Sequence, residues 1–292
     1  MIAISRKFKV RFLKGVAFLS IIRWPNLMVL LLAQYLAAIF VMNDPSEWFL
    51  TLREPKLHLI TLATFFIVAA GYILNNFYDW EKDMINRPHL TVFQRMVSRS
   101  TSLRVAFLFN TIGMLMALSI SWKGALFFFT YGTLIWLYSH KFKKITLLGN
   151  LLAAALSIFP FFGIFFHYGI PSISIWVYTA LILNLLFLRE LVKDGTSVKG
   201  DIIVGYETLV ARYGWDRIRW FLVLSALPLL PIGYFLYIRE GRYIQWITLM
   251  ILFSTFGSFL LLFLSHWNWR FSVVNFLFRL ILLLGIGGLI FL

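Results

Sequence analysis

Nine stretches of the chain are apolar at most of their positions. They cover about 21–42, 57–77, 103–120, 123–139, 147–168, 173–190, 217–238, 243–265 and 272–292. A helix needs about 20 apolar residues to cross the hydrocarbon core of a bilayer, within a range of roughly 17–25. The pattern therefore predicts nine transmembrane helices and an all-α polytopic fold. The third and fourth runs meet at Ser121–Lys123, which predicts a tight hairpin. Two polar connections are long, roughly 78–102 and 191–216, and the rest are short. Long connections in a compact domain tend to carry function.

Composition supports lipid as the solvent. Of 292 residues, 61% are hydrophobic, with 31 Phe and 11 Trp, and only 13% are charged. That charged share is about half of the usual value in soluble domains. Mean hydropathy is +0.84. With no cysteine, disulfides, thiolate metal sites and thiol nucleophiles are excluded. The net charge of +15 is read as basic loops facing anionic lipid rather than as a nucleic-acid surface.

Residues 1–20 form a basic, amphipathic segment, MIAISRKFKVRFLKG at its start, and Arg23 breaks the apolar run behind it. No small-residue cleavage site follows, so it is expected to stay in place along the cytosolic membrane surface. Residues 21–292 are expected to form one membrane domain. Most Lys and Arg fall on one side of the nine runs, which makes that side cytosolic under the positive-inside rule. The N-terminus is then inside and the C-terminus outside, in what is expected to be a bacterial cell (inner) membrane.

The chain holds only 12 acids against 27 Lys and Arg. Three of them crowd into "GYILNNFYDWEKDMINRP", Gly71–Pro88. Asn75, Asp79 and Asp83 are spaced i, i+4, i+8, which places them on one helical stripe. Asn76 stands three residues before Asp79. A second acid segment, "RELVKDGTSVKGDIIVGYETLVARYG", runs from Arg189 to Gly214. There Glu190, Asp194, Ser197 and Asp201 share a helical face. Gly195 and Gly200 argue against one continuous helix, since each costs about 1 kcal/mol relative to Ala. A single acid at a helix end is usually a solvated cap. Two stripes interleaved with Lys and Arg instead suit a Mg²⁺–diphosphate, with acids holding metal and cations holding phosphate oxygens. Oxygen donors without His or Cys point to Mg²⁺ rather than zinc. A third segment, "LYSHKFKKITLLGNL", Leu137–Leu151, ends a span at Tyr138 and follows it with Lys141, Lys143 and Lys144.

Together these segments resemble the UbiA-type intramembrane prenyltransferase family. Asn75–Asp83 with Asn86-Arg87-Pro88 is similar to its first motif, Leu137–Leu151 to its Tyr-Ser…Leu-Gly-Asn-Leu segment, and Arg189–Gly214 to its second motif. "IRWPNL" at Ile22–Leu27 is similar to its Arg-Pro-x-Asn opening. The resemblance spans about residues 20–215. It implies nine helices around a central lipid-accessible cavity. It also implies Mg²⁺-dependent transfer of a polyprenyl group from its diphosphate to a membrane-associated acceptor. Asp79, Asp83, Asp194 and Asp201 would hold metal, with Asn76 and Ser197 as neutral ligands where the family has Asp. Arg87, Lys143 and Lys193 would contact diphosphate, Arg23 and Asn26 would lie near the acceptor end, and Asn75 and Tyr138 would also be substrate-binding. The stretch "HLTVFQRMVSRSTSL" after Pro88 departs from the family's small-residue pattern.

Such a reaction needs cations to neutralise a departing diphosphate and a water-free cavity for the allylic cation. No dedicated base stands out, and His140 reads as a surface residue. The "RELVKD…GD" form is similar to members with alcohol acceptors, such as an alcohol on a glycerol phosphate lipid. A quinone precursor and a porphyrin are the other acceptor classes, and the porphyrin is disfavoured because no His stands ready to handle haem. Two further readings are a transporter, given the intramembrane Gln34, Asn110, Asn184, Asn275 and Arg279, and a family member with a weakened metal site. Arg279, with Asn275 one turn earlier, is either a snorkelled anchor or a ligand for an anionic acceptor.

Overall fold

A computed structural model of the chain describes residues 6–265, 267 and 269–292. Residues 1–5 of the basic N-terminal segment lie outside the described residues. In chain order, α1 (Arg6–Ile21) and α2 (Trp24–Leu36) lead through a π-helical turn (Ala37–Val41) to the short α3 (Trp48–Leu52). Next come α4 (Pro55–Tyr78), α5 (Trp80–Asn86), α6 (Pro88–Gln94), α7 (Arg99–Ile120) and α8 (Trp122–His140). A 3-10 turn (Phe142–Lys144) precedes α9 (Leu148–Tyr168), α10 (Ile173–Val204) and α11 (Leu209–Tyr213). The chain continues through α12 (Trp215–Ala226), α13 (Leu229–Arg239), α14 (Arg242–Leu264) and α15 (Arg270–Gly288).

Among the described residues, eight helical segments are long and apolar enough to cross a membrane. They coincide with eight of the nine predicted runs, and the protein is an integral membrane protein of all-α architecture. The remaining run is α8, a 19-residue helix whose lysine, tyrosines and tryptophans lower its hydropathy. The run at 217–238 is interrupted between α12 and α13 at Leu227–Pro228. Proline there cannot donate a helical hydrogen bond and clashes with the preceding turn. The two long connections are mostly helical rather than irregular. Residues 78–102 contain α5 and α6, with Pro88 at the first turn of α6, where its missing N–H costs nothing. Residues 191–204 belong to α10.

The chain folds as two compact units. One combines the chain up to Leu32 with His58–Lys141, and the other combines Ala33–Leu57 with Phe142–Leu292. In the first, α7 and α8 pair as the predicted hairpin. Ser98 and Ser121 cap them, their hydroxyls accepting from the Thr101 and Gly124 amides at 3.1 and 3.0 Å. Phe109 of α7 meets Phe66 of α4 and Phe18 of α1 edge to face, at 5.2 and 6.2 Å. Helix α1 also packs on α6.

In the second unit α10 is the axis. Leu181, Leu185, Leu188 and Leu191 recur at spacings of four and three and are fully buried against residues such as Leu222, Ile251 and Phe278. Lipid tails are as apolar as leucine, so such helices are held by close packing and by hydrogen bonds rather than by expulsion of water. The intramembrane polar residues supply some of those bonds. Buried Gln34 donates to the Pro160 carbonyl at 3.0 Å. Asn184 donates to the Ser225 carbonyl at 2.9 Å.

At the α3–α4 junction, Glu54 bonds to the imidazole of His167 and accepts from the Tyr168 hydroxyl at 2.6 Å. Burial raises the Glu54 carboxyl. The two hydrogen bonds and the charges of His167 and Lys56 outweigh that, so it sits below its ordinary value. A depressed carboxyl contributes stability that is present above its unfolded pKa and disappears as pH falls through its folded one. We expect Glu54→Gln to lower the thermal midpoint of the detergent-solubilised protein near neutral pH. The gap to wild type should close in acid, below the usual glutamate range. A gap that is constant with pH would separate the loss from ionisation.

Candidate functional site

The first acid segment lies in the first unit. Helix α4 ends at Tyr78 and α5 starts at Trp80, so the expected uninterrupted helix has a one-residue break at Asp79. The i→i−4 bonds nevertheless continue through the break. The Asp79 amide donates to Asn75, Asp83 to Asp79, and Arg87 to Asp83, at 2.8–2.9 Å. The stripe read from the spacing is thus kept. Asp83 is half-buried. Burial and the neighbouring Asp79 charge push its carboxyl up, against the pull of Arg23, Arg87 and Lys82. Two carboxylates this close favour a cation between them.

The family resemblance puts Arg23 at the acceptor end. In the structure it acts on Asp83, and its guanidinium lies 5.3 Å from the Tyr72 ring centroid. It also holds a positive φ of 52° at the α1–α2 corner, a conformation that costs a non-glycine residue about 1–3 kcal/mol and recurs at functional sites. Asn26 follows, exposed on α2, its backbone amide donating to the Arg23 carbonyl at 2.9 Å. Asn76 has a partner the sequence does not announce. Its side-chain amide donates to Gln94 at 2.8 Å, and Gln94 donates in turn to Ser20 at 3.1 Å. This bond engages the Asn76 amide nitrogen rather than its oxygen.

The second segment lies in the second unit, and here continuity exceeds expectation. Helix α10 runs unbroken from Ile173 to Val204 across both glycines. Gly195 has a tertiary reason: a Cβ there would collide with the Phe271 ring of α15. Asp194 and Asp201 are only 6% and 0% exposed. Asp194 accepts from the Asn150 side chain at 2.8 Å. Asp201 accepts from Ser197 at 2.9 Å and from Thr208 at 3.2 Å. Lys193 is paired with Glu190, which Arg189 also approaches at 3.5 Å. A diphosphate would therefore compete with Glu190 for Lys193.

The lysine segment joins this group through its backbone. The Glu207 amide donates to Lys144 at 3.1 Å, and the Thr146 hydroxyl to the Glu207 carbonyl at 2.6 Å. Leu147 then turns the chain into α9 with a positive φ of 63°. Gly149 follows because a Cβ would lie 2.9 Å from the Lys143 carbonyl oxygen. This tight approach sets Lys143 beside the start of α9 and leaves Asn150 one residue on. Asn150 belongs to the third motif, but the sequence gives it no role. Its partner Asp194 is 44 residues away, and no local pattern announces such a pair.

Tyr138 is half-buried near the end of α8. His140 stacks on Trp136 at 5.6 Å and stands edge-on to Tyr78, as a surface residue would. Asn275 is buried while Arg279 is exposed, so the two do not share the surroundings their spacing suggests.

The donors fit Mg²⁺. No group of three or more His, Cys, Asp or Glu side chains gathers among the described residues. Mg²⁺ needs none, because it is commonly held by one or two carboxylates plus waters and substrate phosphates. The acid pairs here are all oxygen donors of that kind.

The sequence model described as the UbiA prenyltransferase family matches residues 26–286. A digeranylgeranylglyceryl phosphate synthase of Methanospirillum hungatei is 31% identical over 79% of this chain and 80% of its own length. One from Methanobrevibacter smithii is 24% identical over 84% and 87%. Among solved structures, a UbiA homolog from Archaeoglobus fulgidus bound to GPP and Mg²⁺ superposes with a TM-score of 0.65 at 16% identity, covering 94% of this chain and 99% of its own. A digeranylgeranylglyceryl phosphate synthase structure gives 0.68 at 21% identity, covering 96% and 99%.

The Asn150–Asp194 bond yields a direct expectation. Asn150→Leu removes the donor and strands a buried carboxylate, at a cost of about 1.5–3 kcal/mol. Adding Asp194→Asn to the Asn150→Leu variant should recover part of that loss, because a neutral amide is cheaper to strand. Unfolding of the two single variants and the double variant in detergent measures the coupling. Independent, additive effects would show that the bond carries none of the stability.

Proposed function

The chain belongs to the UbiA prenyltransferase family, and from that premise we propose that it moves a polyprenyl group from polyprenyl diphosphate to an alcohol on a glycerol phosphate lipid. Its similarity to the digeranylgeranylglyceryl phosphate synthases supports that acceptor over a quinone precursor. The observation that carries the reading is the pair of acid stripes, Asp79 with Asp83 and Asp194 with Asp201, in an otherwise acid-poor chain. Residues 21–292 are read as one prenyltransferase domain, preceded by an interfacial basic segment over 1–20.

In this reading Asp79, Asp83, Asp194 and Asp201 hold Mg²⁺, with the Asn76 amide oxygen and the Ser197 hydroxyl as weaker ligands. Bound Mg²⁺ supplies Lewis-acid neutralisation of diphosphate oxygens. Arg87, Lys143 and Lys193 supply positive charge to the same oxygens, and Asn75 and Tyr138 contact the diphosphate substrate. Lys193 exchanges Glu190 for phosphate when substrate binds. As the allylic C–O bond breaks, the electron pair leaves with diphosphate. The acceptor hydroxyl oxygen bonds to the allylic carbon, and its proton passes to the departing diphosphate. Arg23 and Asn26 orient the acceptor. The positive-inside asymmetry supports acid segments and N-terminus facing the cytosol, with the C-terminus outside. Assignment to a bacterial inner membrane draws no support from the relatives, which are archaeal.

Incubation of the purified protein with labelled polyprenyl diphosphates, a prenylated glycerol phosphate and an aromatic acceptor, with and without Mg²⁺, tests the reading. Product on the glycerol phosphate only with Mg²⁺ is expected. Asp79→Ala and Asp201→Ala should each abolish transfer while the protein still expresses and folds, and wild-type turnover in either would remove it from the metal site. Asn76→Asp or Ser197→Asp should lower the Mg²⁺ concentration for half-maximal rate, since a carboxylate replaces a neutral ligand. An unchanged titration in both would mean that neither position faces metal.

A further inference from the structure

The stretch after Pro88 that departs from the family pattern builds a feature of its own. Arg95 closes α6 and Arg99 opens α7. Both guanidinium groups lie over the indole of Trp80, at 4.3 and 4.6 Å from its centroid. Arg99 also lies 5.8 Å from the Phe77 ring. Neither arginine pairs with a carboxylate among the described residues. The three side chains line an open cleft of about 440 Å³ together with Val97 and Ser98.

The depth of this cleft is set by the spans around it. Trp80 stands two residues past the end of one span, Pro55–Tyr78, and Arg99 is the first residue of another. Both therefore sit where hydrocarbon gives way to water, the level at which tryptophan rings concentrate. Helix α1, packed on α6, marks the same boundary. Its Phe8 and Phe12 are 60% and 61% exposed, among the exposed Lys7, Lys9 and Arg11. A basic helix that shows aromatic side chains in this way lies in a lipid headgroup layer.

We propose that Arg95, Arg99 and Trp80 form a binding site for the phosphate headgroup of an anionic membrane phospholipid. Placement over one indole holds both guanidinium groups at the cleft, and a guanidinium offers several N–H donors to phosphate oxygens. The acyl chains of the lipid would lie against the hydrocarbon-facing side of α7. Trp80 lies one residue beyond Asp79 and so on a different helical face from the carboxylate stripe, although Trp80 and Arg99 also line a small cavity with Asn76.

Native mass spectrometry of the full chain in detergent tests this, with phosphatidylglycerol and phosphatidylcholine of identical acyl chains. Wild type should retain phosphatidylglycerol in preference. Each basic residue near an anionic surface contributes roughly fivefold in affinity, so Arg95→Gln with Arg99→Gln should weaken retention roughly thirtyfold. The double Lys variant keeps charge without the planar fork and should fall between. Trp80→Leu should weaken retention with both charges intact. Equal retention of the two lipids by wild type, or unchanged phosphatidylglycerol retention in the double Gln variant, overturns the proposal. Displacement of the lipid by millimolar inorganic phosphate would reassign the cleft to a free anion and overturn it also. The comparison of the two lipids needs only wild-type protein, so a variant that fails to fold does not remove the test.

Discussion

The structure depends on seating carboxyl groups in a helix that is otherwise packed with hydrocarbon. Asp194 and Asp201 are buried on a helix whose other face packs leucine. A lone buried carboxylate would protonate or unfold its surroundings. Each of these two instead accepts hydrogen bonds from neutral groups: Asn150 for Asp194, Ser197 and Thr208 for Asp201. Neutral donors hold these carboxyl groups in place without pairing them with a side-chain cation. The turn at Leu147, the close approach at Gly149 and the strap between Lys144 and Glu207 all serve to bring those donors into place.

The first acid segment meets the same constraint differently. Asp79 and Asp83 stand at a helix junction, and Asp83 is within reach of the charges of Arg23, Arg87 and Lys82. Here cations moderate the repulsion. A flexible arginine side chain can be exchanged for metal or phosphate, whereas a buried asparagine cannot easily leave. The first segment thus has a compliant charge environment and the second a rigid one.

The spans are legible in the sequence because lipid leaves no other reading for long apolar runs. The acid stripes are legible because helical spacing is local arithmetic. What escapes the sequence depends on distant residues. Gly195 looks like a helix breaker until Phe271 is packed on it. Asn150 and Gln94 look ordinary until their partners arrive from 44 and 18 residues away. The polar connections look irregular because α5 and α6 are too short to show a clear hydrophobic period. Arg279 and Asn275 share a spacing but not an environment, since neighbouring helices decide which side of α15 faces lipid.

Helix α10 has 32 residues, a length of about 48 Å at 1.5 Å per residue. The hydrocarbon core is only about 30 Å thick. The apolar half and the acid half are therefore one rigid rod with a fixed offset. A bilayer of different thickness can be met only by tilting or by local thinning, and either moves Asp194 and Asp201 relative to the headgroups. Hydrophobic mismatch thus reaches the carboxylates without any intervening moving part, and the thickness of the host membrane sets the depth at which they lie.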